Sequence, residues 1–87
     1  MEHNFYDLAF HHLKEEIEDA CEYLRKADEA DDEGKHYLAH GFKRMAWDEY
    51  SHAKFLRDYL MTKEAYNNHE EIDEHWHKLR HKLGLEA

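Results

Sequence analysis

The 87-residue chain is one small domain at most, and its 12 basic against 21 acidic side chains leave a net charge of −9, which argues against a nucleic-acid phosphate footprint and disfavours attraction to anionic lipid. No proline and only three glycines point to helices over a turn-rich sheet protein, and the single cysteine, Cys21, excludes an internal disulfide framework, a CxxC rubredoxin-type site and an all-cysteine zinc site. No apolar run reaches about 18 residues and Met1-Glu2-His3-Asn4 has no signal-peptide character, so the expectation is a protein with no membrane span in a reducing, cytoplasmic setting.

The pattern predicts an all-α fold of three helices in one domain over residues 1–87. Helix 1 spans about 4–30 with Asn4 as N-cap, and Asp31-Asp32-Glu33-Gly34 is the only strong turn signal in the first sixty residues. Helix 2 spans about 33–63 and ends before Asn67-Asn68. Helix 3 spans about 68–83, with Asn68 and Glu71 resembling a capping box and Gly84 suited to the C-cap. On helix 1 the predicted seam is Ala9, Leu13, Glu16, Ala20, Tyr23, Ala27 and Ala30. On helix 2 it is Leu38, Phe42, Met45, Glu49, His52, Leu56 and Tyr59, at strict four-three spacing. On helix 3 it is Ile72, Trp76, Leu79 and Leu83.

Apolar residues remain outside these seams: Tyr6, Phe10, Ile17, Cys21 and Leu24 on helix 1, Trp47 and Tyr50 on helix 2. Two antiparallel helices bury one face of each other, and a short third helix is expected to leave much of the rest open. The simplest expectation is that two hairpins dimerise into a four-helix bundle, with a monomeric three-helix bundle as the alternative.

Glu-x-x-His places two donors one helical turn apart on one face, where they can share a metal. Thirteen Glu and ten His make on the order of one or two such matches expected by chance. Three occur: Glu33/His36, Glu49/His52 and Glu74/His77. Glu33 falls in the turn, and Glu74 and His77 fall off the helix 3 stripe. Only Glu49 and His52 take apolar-seam positions, where a charge is costly unless paired or metal-bound. Glu16 occupies a seam position too. Residues 16 and 49 are equidistant from the Asp31–Gly34 turn, so an antiparallel hairpin sets them side by side, with Leu13 opposite His52 and Tyr23 opposite Phe42. Two carboxylates and an imidazole at one level repel or take up protons unless a cation joins them. A structural pair sharing a proton, hydrogen-bonded to Tyr or His, is the other reading. A two-fold dimer doubles the set to four Glu and two His, the ligand set of carboxylate-bridged di-iron bundles, suited to iron or manganese, with zinc as a substitute.

Glu16 followed by Tyr23, then Glu49-x-x-His52 thirty-three residues beyond Glu16, together with the run Ala46-Trp47-Asp48-Glu49-Tyr50-Ser51-His52-Ala53, resembles the first half of a rubrerythrin-type, ferritin-like bundle over roughly residues 9–60. The single hairpin without CxxC is more similar to the encapsulated ferritins, whose third helix His75-Trp76-His77-Lys78-Leu79-Arg80 weakly resembles. The resemblance implies a di-iron ferroxidase centre built across a homodimer, assembly of dimers into a larger ring-like oligomer, and Fe(II) with O2 or peroxide as reactants in iron storage or detoxification. In that scheme Glu49 is a bridging carboxylate, Glu16 a terminal or bridging ligand and His52 the imidazole ligand. The family also raises an encapsulin shell as partner and compartment, although Gly84-Leu85-Glu86-Ala87 shows no docking tail. The alternatives are a rubrerythrin-like scavenger of peroxide or oxygen and a non-catalytic helical interaction module with a structural metal.

Other residues carry weaker readings. Glu15 and Glu18 either guide cations to the site or form a solvated face. His36/His40 and His77/His81 are spaced to bind zinc or nickel, at a frequency chance also produces. Tyr23 is a neighbour of the site or ordinary core, and Cys21 reads as a small buried hydrophobe.

Overall fold

Helix propensity and seven-residue spacing of small and apolar residues carry through into the computed structural model of the chain, which describes residues 5–62 and 69–86. The described residues form three helices: α1 (Phe5–Asp32), α2 (His36–Met61) and α3 (His69–Lys82). The expected caps Asn4 and Asn68, and the breaks at Lys63 and Asn67, lie outside the described residues. At 1.5 Å per residue the 28 residues of α1 extend about 42 Å. They run antiparallel to α2, with the short α3 packed across one side of the pair.

The turn between α1 and α2 is a Schellman motif. Gly34 adopts φ +78°, its N–H donates to Asp31 O at 2.9 Å, and the Lys35 N–H donates to Ala30 O at 2.8 Å. A Cβ at that φ would be strained, which is why glycine stands there. The side chain of Asp31 bridges the turn to His36 Nδ1 at 2.9 Å. Gly84 ends α3 the same way at φ +79°, with Gly84 N–H to His81 O at 3.0 Å and Leu85 N–H to Arg80 O at 2.9 Å. The C-cap read from the sequence is thus in place.

Ala9, Leu13, Ala20, Ala27 and Ala30 of the α1 seam are buried as expected, and Ile17 joins them. The α2 seam is rotated from the expected one. Phe42, Glu49 and Leu56 keep their places partly buried, but the fully buried row beside them is Ala39, Ala46, Ala53 and Leu60. Leu38, Met45 and His52 sit one step outward and are exposed. The cause is size. Alanines at the contact line let the helix axes approach, and the bulkier neighbours are left on the flank. Register is as expected: Tyr23 stacks on Phe42 with centroids 6.3 Å apart, and Tyr6 on Tyr59 at 5.8 Å.

α3 covers more than its length suggests. Ile72, Trp76 and Leu79 are buried against α1 and α2, Tyr50 stacks on Trp76 at 5.0 Å, and Trp47 meets Tyr50 edge-on at 5.4 Å. Phe10, Cys21 and Tyr6 pack on the same core. The residues expected as surplus are therefore largely used within the chain. Lys14 to Glu71 (3.5 Å) and Arg57 to Asp73 (3.7 Å) hold α3 in place. The opposite face of the α1–α2 pair has no third helix among the described residues. It exposes Leu8, Leu38, Met45 and Phe55, the last 72% exposed. The Cα envelope, 50 × 32 × 14 Å, is accordingly a flat slab.

Candidate metal centre

Glu16 lies on the fourth turn of α1, and Glu49 and His52 lie one turn apart on α2. The Gly34 turn fixes the register between the two helices, so the three side chains converge. One ligand atom from each lies within 4.8 Å of the others. His52 Nδ1 is 3.5 Å from Glu16 Oε2 and 3.6 Å from Glu49 Oε1. The carboxylates stand at the edge of the helix contact, 23% and 19% exposed, while His52 is 61% exposed on the open face. All three residues named from the sequence are thus brought together. The expectation that His52 shares the buried seam is corrected, because Ala53 takes the contact-line position and turns His52 outward.

Two carboxyls this close, largely out of water, resist double ionisation. Glu49 is pushed up to about 7, first by the hydrogen bond it shares with the Glu16 carboxyl, then by burial and by repulsion from Glu16, with His52 opposing and Asp19 adding a little repulsion. Glu16 Oε2 is closed off from solvent and makes no hydrogen bond. A buried carboxylate oxygen in that position is unsatisfied unless a proton or a cation reaches it.

The other sequence candidates go elsewhere. His36 holds Asp31 in the turn, and His77 lies 2.8 Å from Glu86, so neither Glu33/His36 nor Glu74/His77 assembles a site. Among the described residues no other three His, Cys, Asp or Glu side chains converge in this way. Glu15 is paired with His11 at 3.2 Å and His12 at 3.5 Å, and Glu18 is exposed. Tyr23 packs on Phe42, and Cys21 is a free thiol, partly buried.

What the sequence reading missed is the setting of the trio. Leu8, Leu38, Met45 and Phe55 are exposed along the two helices that carry it, and an apolar groove of about 310 Å³ lined by Leu8, His12, Phe55 and Leu56 runs toward the start of α1. The alanine period 39, 46, 53 was the available signal. No family model, no curated protein and no solved structure matches the chain.

Proposed function

We propose that the chain is a ferritin-like half-bundle that dimerises through its open face and oxidises Fe(II) at a di-iron site built from Glu16, Glu49 and His52 of both copies. The observation that carries this reading is the convergence of those three side chains on the face that α3 leaves bare, with one carboxylate oxygen buried and unsatisfied.

The donor set fits a first-row divalent cation. Two carboxylates and an imidazole suit iron or manganese, with zinc as a substitute. One chain offers three ligands, short of a closed two-metal centre, and a second copy about a two-fold axis doubles them to four carboxylates and two imidazoles. The exposed apolar residues of that helix pair supply what such a copy would bury, and small single domains commonly gain support from a partner.

In this reading Glu16 and Glu49 hold the metal and balance its charge. The proton they share leaves as the cation arrives, so uptake is favoured as pH rises through about 7. His52, exposed in the single chain, is covered when the copies pair. Bound iron supplies the one-electron chemistry, with Fe(II) as substrate and O2 or peroxide as oxidant.

The test is anaerobic Fe(II) addition to metal-free protein, followed by air. Oxidation well above the buffer blank, saturating near two irons per dimer and lost in Glu49→Ala and Glu16→Ala, is the expected result. Iron bound without oxidation would assign the trio a structural role in an interaction module. Oxidation that survives both substitutions would remove the trio from the reaction.

A further inference from the structure

Where α3 ends against α2, Lys54, Arg57, His77 and Arg80, together with the carboxylates of Asp58 and Glu86, line a recess of about 390 Å³ beside Trp76, in a chain whose net charge is −9. Two of these have local counter-charges: Lys54 meets Asp58 at 2.9 Å, and Arg57 meets Asp58 at 3.4 Å and Asp73 at 3.7 Å. His77 and Arg80 share one anion among the described residues, and it is Glu86, from beyond the Gly84 turn. His77 Nδ1 lies 2.8 Å from one Glu86 carboxylate oxygen and 2.9 Å from the other, and Arg80 Nε donates to Oε2 at 2.9 Å.

Arg80 is held by a contact that does not involve Glu86, while His77 is placed by its position on α3. Arg80 Nη1 donates to the Tyr50 hydroxyl at 2.6 Å, and Tyr50 is stacked on the buried Trp76. His77 is carried on α3 between Trp76 and Leu79, both buried. A guanidinium fixed in this way remains in position when its occupant leaves, which spares an external ligand the cost of reordering it. The occupant sits on a segment tied back to α3 by the Leu85 N–H to Arg80 O hydrogen bond of the Gly84 turn. Leu85, next to Glu86, is exposed, so burial of that residue does little to anchor the segment. The Glu86 carboxyl is held below its ordinary range, first by the hydrogen bond to His77, and it is therefore ionised at neutral pH.

We propose that His77 and Arg80, with Lys54 and Arg57 beside them, form a binding site for a small oxyanion, a phosphate or a carboxylate, which Glu86 fills as a tethered ligand. A short tether presents its carboxylate at an effective concentration on the order of millimolar, so an external anion competes poorly until Glu86 is neutralised. Phosphate suits the site because an arginine fork and an imidazole both donate to its oxygens. The proposal is independent of the metal site, which lies on the opposite face of the α1–α2 pair.

Metal-free wild type, Glu86→Gln and the double variant Glu86→Gln/Arg80→Ala are titrated with inorganic phosphate at ionic strength held constant with chloride, and binding is read from the His77 imidazole NMR signals. Glu86→Gln should bind phosphate at least tenfold more tightly than wild type, and the double variant should lose at least that factor. A parallel titration with acetate separates the sources: saturation by acetate identifies a carboxylate site, and saturation by phosphate alone a phosphate site. Equal affinity in wild type and Glu86→Gln, or no loss on removing Arg80, overturns the proposal. A second measurement needs no variant. Saturating phosphate should return the Glu86 carboxyl titration in wild type, followed by carbon NMR, to its ordinary range, and an unchanged titration would overturn it equally.

Discussion

Replacing Glu49 with Gln keeps the shape of the side chain and removes its titration, which isolates the energetic cost of two carboxyls at one level. In the folded chain Glu49 titrates near 7 instead of 4.5. The folded state therefore binds more protons than the unfolded state between those values, and stability falls as pH rises through that window. Below about 4.5 both states are protonated and the difference vanishes. Above about 7 both are ionised and the penalty is complete. At about 1.4 kcal/mol per factor of ten, the full penalty is on the order of 3 kcal/mol, with the residual exposure of Glu49 lowering it toward 2. The assay is urea unfolding of metal-free protein followed by far-ultraviolet circular dichroism, at fixed protomer concentration, from pH 5 to pH 8. The carboxylates of Glu22, Asp31 and Glu86, all held below their ordinary range, act with the opposite sign at lower pH and are common to both proteins. The difference between wild type and Glu49→Gln should therefore show wild type losing about 2–3 kcal/mol more between pH 5 and pH 8. Parallel pH profiles in the two proteins would refute the argument, because they would mean that Glu49 ionises without cost beside Glu16.

Metal should reverse that penalty: with Fe(II) at about a hundred times its dissociation constant, wild type should gain roughly 2.7 kcal/mol, read as a higher melting temperature, and Glu49→Ala should keep little of the increment. Equal shifts in both proteins would place the metal elsewhere, on the His36/His40 or His77/His81 pairs. Light scattering of wild type at micromolar concentration should give at least twice the 10.7 kDa chain mass, and Met45→Glu on the open face should return it to the single-chain mass with helix content unchanged. Trp76→Ala should cost roughly 3–5 kcal/mol in chemical denaturation, since the ring is 4% exposed and seats both Tyr50 and Arg57. Gly34→Ala should cost about 1–2 kcal/mol by the same measurement, as its φ of +78° is unfavourable for any Cβ.

Periodicity and turn chemistry were enough to read the helices and the level at which Glu16 meets Glu49. An antiparallel hairpin with a short turn has one register, and Asp31–Gly34 marks its midpoint. The rotation of α2 was not legible in the same way. Apolar scales weigh Leu38 and Met45 above Ala39 and Ala46, whereas packing between two long helices rewards the smaller residue at the contact line. That difference moved His52 from seam to open face while leaving Glu49 largely covered. The reach of α3 was also hidden, since the pairing of Tyr50 with Trp76 and of Arg57 with Asp73 joins residues far apart in the chain with no local pattern to announce it. Glu86 escaped for the same reason: its partners His77 and Arg80 lie back along α3, past a turn that reverses the chain.

The alanines at 39, 46 and 53 offer no ligand atom, yet they set the gauge of the hairpin. The separation of two packed helices follows the bulk of the side chains between them, over a range of about 8–10 Å. Ala20 and Ala53, both fully buried, flank the level of Glu16 and Glu49 and so govern how far apart those two carboxylates stand. Metal–oxygen bonds differ between ions by a few tenths of an ångström, from about 2.0 Å for small divalent cations to about 2.5 Å for calcium. A methyl group added at either alanine would widen the gap by a comparable amount. On the proposed metal-binding reading, the ionic radius that the carboxylates would span is written in residues that carry no charge and offer no ligand atom.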